Sequence, residues 1–149
     1  MLVMRLMNKR ILMFDVRPKP KKRPMWVKGR AVTPKDTRDY EELIGYLAMA
    51  QMNGKPKFGN ELPIKLTVVF SFEVPNSWSK DKKEQALAGK IYPVGANIPD
   101  TDNLLKSLLD GLNGVVYVDD KTIVEISARK TYSDKSGIIA VLQELEDNQ

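Results

Sequence analysis

The spacing of apolar residues along the chain predicts both strands and helices. Every second residue from Ile64 to Phe72 is apolar, which is the pattern of a strand with one buried face. Leucines three and four positions apart between Leu104 and Leu112 predict an amphipathic helix with one packed face. The same patterns predict further strands at residues 10–16, 26–32, 115–118, 122–131 and 138–142, and a polar helix at 79–88.

Capping signals mark the ends of the helices. Thr33 is a good N-cap and Pro34 suits the first helical position, so a helix is predicted from there to Asn53-Gly54. Asp102 is the expected N-cap of the leucine-faced helix, and Asn113-Gly114 ends that helix. Because strands and helices interleave without a regular βαβ rhythm, we predict an α+β fold in which helices pack on a mixed sheet.

The length of 149 residues fits a single domain over residues 1–149. Met1, Met4 and Met7 could each start the chain, so residues 1–6 are expected to be disordered. The apolar run at residues 11–14 is far shorter than the ~7 residues that a secretion signal needs, and no stretch approaches the ~18 of a membrane span. We therefore expect a cytoplasmic protein with no membrane partner.

Positive charge is concentrated in one segment, residues 17–30, which contains no acid. Three prolines interrupt regular structure there, so the segment is predicted to be an extended arm or loop that holds its charges toward solvent. Such an arm attracts phosphate backbones, although a loop kept basic for solubility has the same composition. Trp26, which lies in this segment, has two interpretations: its indole stacks on a base, or it packs in the core. We favour packing in the core. The basic residues of the segment are Arg17, Lys19, Lys21, Lys22, Arg23, Lys28 and Arg30.

The chain contains no histidine and no cysteine, which excludes most nucleophilic enzymes and any zinc site built on those residues. The remaining candidates for chemistry are Asp100, Asp102, Lys106 and the pair Asp119-Asp120. Lys106 lies one helical turn after Asp102 and away from the leucine face. The chain after the helix can bring the Asp119-Asp120 pair back toward the helix start, and clustered carboxylates are commonly relieved by a divalent cation.

The acidic residues admit two other interpretations. An EF-hand loop beginning at Asp100 would require an oxygen ligand, a glycine and a glutamate where the chain has Leu104, Leu105 and Gly111, so this interpretation is excluded. A purely structural interpretation makes Asp102 a helix cap, the Asp119-Asp120 pair turn residues and Lys106 a solvated lysine. The residues alone leave that interpretation open.

Three stretches of the chain resemble the signature of RusA-type Holliday-junction resolvases, a family often carried by phages and prophages. They are PDTDNLLK at residues 99–106 and LDGLNG at 109–114, followed by YVDD at 117–120. The basic run KPKKRP at 19–24 and the helix after Thr33 also look like the N-terminal part of that family, whereas residues 81–90 match no motif of it.

The resemblance implies a homodimeric, Mg²⁺-dependent endonuclease that cuts four-way DNA junctions by paired symmetric incisions in recombination and repair. It assigns catalysis to Asp100, Asp102, Lys106 and Asp120 and leaves Asp119 without a role. One or two Mg²⁺ ions per site would be held by Asp100, Asp102 and Asp120. DNA would be bound by Lys19, Lys21, Lys22, Arg23, Lys28 and Arg30. The alternative function is a non-catalytic DNA-binding recombination accessory protein in which the aspartates are structural.

Overall fold

The computed structural model describes residues 8–146, so the expectations about residues 1–6 fall outside the described range. The elements within it are β1 (Lys9–Phe14), β2 (Met25–Val27), β3 (Arg30–Val32), α1 (Lys35–Met52), β4 (Ile64–Glu73), α2 (Lys80–Leu87), α3 (Thr101–Leu112), a short 3₁₀ helix (Asp120–Thr122), β5 (Ile123–Ser133) and β6 (Gly137–Glu144). No helix within these residues is long and apolar enough to cross a membrane.

Four strands form one mixed sheet in the order β1-β6-β4-β5. β4 pairs in parallel with β5 and antiparallel with β6, and β6 pairs antiparallel with β1. β4 therefore lies between β5 and β6, although those two strands follow each other directly in the chain. The predicted α+β class with a mixed sheet is confirmed.

The core lies between one face of this sheet and the helices α1 and α3. The alternating residues of β4 are fully buried from Ile64 to Phe72, as the sequence pattern predicted, and the leucines of α3 pack against the same core. Burial of these apolar side chains is the main favourable term that holds the two layers together. On the opposite face of the sheet Ile11, Met13 and Ile139 are exposed.

Two glycines allow α1 and α3 to cross closely. A Cβ atom added to Gly111 would lie 2.7 Å from Cγ2 of Ile44, and one added to Gly45 would lie 3.0 Å from the carbonyl oxygen of Gly111. Both distances are shorter than ordinary van der Waals contact. The glycine in the LDGLNG stretch therefore sets how closely α3 approaches α1.

The strand predicted at residues 115–118 is not formed. After α3 the chain makes a tight turn in which Gly114 has a φ of 77° and the amides of Val115 and Val116 donate to the carbonyl of Leu112. Val116 and Tyr117 are fully buried, whereas Val118 is exposed, and the hydroxyl of Tyr117 donates to the carbonyl oxygen of Leu109 at 2.6 Å. Tyr117 forms isolated β-bridges with Phe58 and with Asn113 in place of the continuous pairing of a strand.

Three further predictions about element ends need correction. α1 begins at Lys35 with Pro34 as its N-cap, so Thr33 is not the cap. The N-cap of α3 is Asp100, which has extended backbone angles, and Asp102 lies inside the first turn. The strand predicted at residues 26–32 is instead a hairpin of β2 and β3 that turns at Lys28-Gly29.

Candidate active site

The N-terminal end of α3 presents two aspartates to solvent. Asp100 is the N-cap and Asp102 follows in the first turn, and both side chains are exposed. Within residues 8–146, neither carboxylate makes a hydrogen bond or an ion pair, and that of Asp100 does not cap the helix. The partial positive charge of the helix N-terminus stabilises negative charge at this place. The two carboxylates are therefore free to bind a ligand of opposite charge.

Two hydrogen bonds hold the loop that carries Asp100 and the first turn of α3 that follows it. Nζ of Lys130, on β5, donates a hydrogen bond of 3.1 Å to the carbonyl oxygen of Pro99. In the first turn of α3, the carbonyl oxygen of Asn103 accepts a hydrogen bond of 3.1 Å from the amide of Lys21 in the basic arm. Pro20 lines a shallow pocket together with Pro99, Asp100 and Asn103. The basic arm therefore crosses α3 directly beside the two aspartates.

Lys106 and Asp110 continue the line of charged residues along α3. They follow Asp102 at intervals of four residues, so all three lie on neighbouring positions of one helix surface. Lys106 is exposed and forms no ion pair within 4 Å in the described part of the chain. Asp110 lies about 12 Å from Asp102 along the helix axis, at 1.5 Å per residue. Lys106 is thus the cation midway along an otherwise acidic line.

Asp119 and Asp120 lie beside the later turns of α3. Asp119 Oδ1 accepts a hydrogen bond of 3.0 Å from the amide of Lys121, and this bond lowers the pKa of Asp119. Burial, followed by the hydrogen bond and the charge of Asp119 and then by the charge of Asp110, raises the pKa of Asp120. Like charges at this place make the ionised form of Asp120 less favourable. The acidic neighbours of Asp120 are therefore Asp119 and Asp110.

The predicted cluster of Asp100, Asp102 and Asp120 is not assembled as a set of three metal ligands. No group of three or more acidic side chains placed to hold a metal ion occurs in residues 8–146. The turn after α3 brings Asp120 toward Asp110, and neither Asp100 nor Asp102 contributes to its pKa shift. Asp100 and Asp102 thus both lie at the N-terminal end of α3 and Lys106 follows one turn later, whereas Asp120 lies near the acidic residues Asp119 and Asp110.

The basic arm is only partly open to solvent. Nζ of Lys21 bridges two helices, forming ion pairs with Glu41 of α1 and, at 2.9 Å, with Asp110 of α3. Burial opposes the charge of Lys21, but these two carboxylates outweigh it and raise the pKa of Lys21. Lys22 pairs with Asp36. The expectation that the arm holds its charges toward solvent is therefore wrong for Lys21.

The remaining basic residues of the arm are differently placed. The amide of Lys19 donates to the hydroxyl of Tyr40 at 3.3 Å, and its Nζ lies 5.8 Å from the centre of that ring. Arg23, Lys28 and Arg30 are exposed and form no ion pair within the described residues. Among the charges available to a polyanion, those of Arg23, Lys28 and Arg30 lie at or next to the hairpin of β2 and β3.

Sequence reasoning missed two residues that support the site. Lys130 is separated by 31 positions from Pro99, and nothing in its surroundings along β5 indicates that it reaches the loop before α3. The apolar pattern predicts Tyr117 as a strand residue, although it anchors the turn that carries the Asp119-Asp120 pair. A buried tyrosine within a short apolar run after a helix is the only signal that could have suggested this anchor.

Comparisons with known proteins bear on this arrangement. The family model described as Endodeoxyribonuclease RusA matches residues 15–142. An uncharacterised protein of Bacillus subtilis, YqaN, is 30% identical over 102 residues, which is 67% of this chain and 70% of YqaN. The crossover junction endodeoxyribonuclease rusA of Lactococcus phage r1t is 33% identical over 90 residues, 58% of this chain and 60% of the phage protein.

The matched range includes every residue to which the family resemblance assigned catalysis, together with the basic arm. A match of this extent supports an enzyme that acts on DNA over the alternative of a non-catalytic accessory protein. The chain belongs to the RusA family of endodeoxyribonucleases.

Proposed function

We propose that this protein resolves four-way DNA junctions by hydrolysing phosphodiester bonds at the N-terminal end of α3. The observation that carries the proposal is the pair Asp100 and Asp102, exposed and without partners in the described residues, beside an arm rich in lysine and arginine. The named phage relative is a crossover junction endonuclease, which supports the junction as the substrate. We expect the protein to act in the cytoplasm, where such DNA is found.

The donor set at this site suits Mg²⁺. This ion prefers oxygen ligands and is commonly bound through one or two carboxylates together with substrate phosphates and water. Asp100 and Asp102 supply such carboxylates, so a third protein ligand is not required before DNA is bound. When present, the metal would lower the pKa of a bound water and neutralise charge on the phosphate. Asp100 and Asp102 would hold one or two ions and orient them toward the DNA.

Lys106 and Asp120 are assigned supporting roles in the same reaction. Lys106 projects from the turn after Asp102, where its ammonium can stabilise the negative charge that develops on the phosphate in the transition state. Asp120, whose pKa is raised, would complete the metal site once a cation relieves its repulsion from Asp119 and Asp110. This role requires the bound DNA and metal to bring Asp120 into the site.

We further propose that the active form is a homodimer. A four-way junction has approximate two-fold symmetry, and a chain with one site must be doubled to make two symmetric incisions. The exposed residues Ile11, Met13 and Ile139 on the outer face of the sheet support association with a second copy. Sedimentation at working concentration should give a dimer, and Met13→Lys should shift it toward monomer. A wild-type protein that sediments as a monomer would contradict this part of the proposal.

Cleavage of synthetic substrates tests the function directly. A four-way junction and a linear duplex that contains one of the junction strands with its full complement are incubated with the protein in Mg²⁺ or in EDTA. We expect paired nicks near the branch point of the junction in Mg²⁺ only, with little cleavage of the duplex. Equal cleavage of both substrates would indicate a general nuclease, and cleavage in EDTA would contradict the metal assignment.

A further inference from the structure

The hairpin formed by β2 and β3 makes a two-stranded sheet of its own. Met25, Trp26 and Val27 pair with Val32, Ala31 and Arg30. Lys28 and Gly29 both have positive φ, 51° and 77°, which are the angles of the tight turn that matches the twist of a hairpin. The sequence is therefore suited to a projecting ribbon, not to a strand of the main sheet.

Trp26, the one aromatic residue of this ribbon, is largely exposed, with 77% of its surface accessible. The expectation that it packs in the core is wrong. Its cross-strand partner is Ala31, whose small side chain leaves the indole uncovered. Met25 and Val27 are also exposed, at 51% and 48%. Neither face of the ribbon is buried against the body of the protein.

A ribbon of this kind gains little from folding. An isolated two-stranded hairpin is marginally stable in water, and an exposed tryptophan adds no burial to offset the cost of ordering the chain. Apolar groups gathered on an exposed ribbon instead mark a surface that contacts another molecule. The partner must therefore have a surface that the exposed indole of Trp26 can contact.

The charges around Trp26 identify the kind of partner. Arg23, Lys28 and Arg30 are exposed, form no ion pair in the described part of the chain, and have no acid between them. A partner with dense negative charge and flat apolar surfaces satisfies both features. Nucleic acid has this combination, since its phosphates bind lysine and arginine and its bases stack on aromatic rings.

We propose that Trp26 stacks on an unpaired or unstacked base at the branch point of DNA, while Lys28 and Arg30 bind the flanking phosphates. The inference rests on the proposed function and adds the means by which a branch is distinguished from a duplex. In a continuous duplex the base faces are covered by neighbouring base pairs, so the indole has no surface to bind. At a branch point, opening of a base pair exposes such a face.

Binding of matched variants tests the proposal. Trp26→Ala, Trp26→Phe and a control, Tyr46→Ala, are compared in EDTA on a four-way junction, single-stranded DNA and a linear duplex. Tyr46 is almost as exposed as Trp26, at 75%, but lies on α1. Trp26→Ala should weaken binding to the junction and to single strands by about 5- to 150-fold, the range for loss of one stacked base. Trp26→Phe should recover most of this loss.

Binding to the linear duplex should change little in every variant. Equal weakening of all three substrates by Trp26→Ala would overturn the proposal, because the tryptophan would then not read exposed bases. Unchanged binding of the junction by Trp26→Ala would overturn the proposal as well and would indicate that the apolar ribbon contacts a protein instead.

Fluorescence provides a second readout that does not depend on affinity. The chain has two tryptophans, so Trp78→Phe leaves Trp26 as the only one. Addition of single-stranded DNA or of the junction should quench its emission, and an unquenched signal at saturation would overturn the stacking contact. Wild-type cleavage of the junction in Mg²⁺ is measured in parallel. Absence of cleavage would refute the proposed function, whereas cleavage without any effect of Trp26→Ala would refute only this inference.

Discussion

Nζ of Lys130 lies 3.1 Å from the carbonyl oxygen of Pro99 and donates a hydrogen bond to it. Lys130 belongs to β5, an edge strand of the sheet, and is paired in register with Phe70 of β4, so it lies on the core-facing side. Pro99 directly precedes Asp100. The sheet is thus connected through one side chain to the loop that carries a proposed catalytic carboxylate.

Loss of this contact should impair catalysis more than binding. Lys130→Met keeps most of the aliphatic stem but removes the donor, so the loop before α3 loses its support and Asp100 is displaced. Because misplacement of a catalytic group by about 1 Å costs up to roughly 100-fold, we expect kcat for junction cleavage to fall about 10- to 100-fold with little change in KM. Lys130→Arg should restore most of the rate.

The neighbouring residue provides a control for this prediction. Arg129 lies on the same strand, is exposed, and points to the other face of the sheet. Arg129→Ala should leave kcat unchanged. A rise in KM alone for Lys130→Met would instead show that Lys130 binds DNA and does not position the loop.

The basic arm should divide into structural and DNA-binding residues. Lys28→Ala combined with Arg30→Ala should weaken DNA binding and reduce the slope of log K against log salt by about 2, close to one for each lost phosphate contact. Lys21→Ala should mainly lower the free energy of unfolding, by about 1 kcal/mol, because it leaves Glu41 and Asp110 without their shared cation. Urea denaturation and salt titrations measure the two effects.

Each half of this prediction has an opposing result. A salt slope that the double variant leaves unchanged would place the phosphate contacts elsewhere on the protein. If Lys21→Ala reduced the salt slope of DNA binding while its free energy of unfolding stayed at the wild-type value, Lys21 would be a DNA contact. DNA would then displace Glu41 and Asp110 from Lys21.

Substitution of Gly111 should destabilise the fold. A Cβ atom at this position would meet Cγ2 of Ile44 at 2.7 Å, so Gly111→Ala forces α1 and α3 apart. The gain in helix propensity is smaller than the cost of overpacking, and we expect a loss of about 1–3 kcal/mol in urea denaturation. Gly95→Ala is the control, since a Cβ atom added to Gly95 would meet nothing within 4 Å. Wild-type stability of Gly111→Ala would contradict the close crossing.

Stability at alkaline pH should depend on Tyr40. Burial raises the pKa of Tyr40 from 10.0 to about 12. Between these values the unfolded chain has lost the phenolic proton and the folded protein still holds it. Stability is therefore intact below pH 10 and falls as the pH rises toward 12, by at most about 1.4 kcal/mol per pH unit from this group. Tyr40→Phe should lose less stability than wild type between pH 10 and 12 in urea denaturation. Identical losses in the two proteins would show that Tyr40 is accessible enough to ionise in the folded state.

Local patterns predicted the parts of the fold that depend on neighbouring residues. The alternation in β4 and the leucine spacing in α3 correctly predicted a buried strand face and an amphipathic helix. The position of β4 between β5 and β6 could not be inferred, because pairing between distant strands leaves no periodic signal. The run at 115–118 has the composition of a strand, yet the hydrogen bond from Tyr117 to Leu109 holds it in a turn.

For the site, too, the sequence predicted the features that depend on residues close together in the chain. The residue types and the spacing of Asp102 and Lys106 placed these side chains on one exposed surface of α3, as the structure has them. The sequence predicted Asp102 as the N-cap of α3. The N-cap is in fact Asp100, because its position depends on where the backbone leaves its extended conformation. Asp120 lies near enough to Asp110 to feel its charge because of the path of the turn after α3. Residue types alone do not determine that path.

The role of Asp102 is the central claim, and single-turnover cleavage of a four-way junction in Mg²⁺ tests it most directly. Wild type and Asp102→Asn are compared on the same junction, with binding measured separately in EDTA. Asp102→Asn removes a proposed metal-binding carboxylate and does not touch the arm or the core, so cleavage should fall by more than about 100-fold and binding should stay within a few-fold of wild type. Cleavage by Asp102→Asn at the wild-type rate would contradict the assignment of catalysis to the N-terminal end of α3.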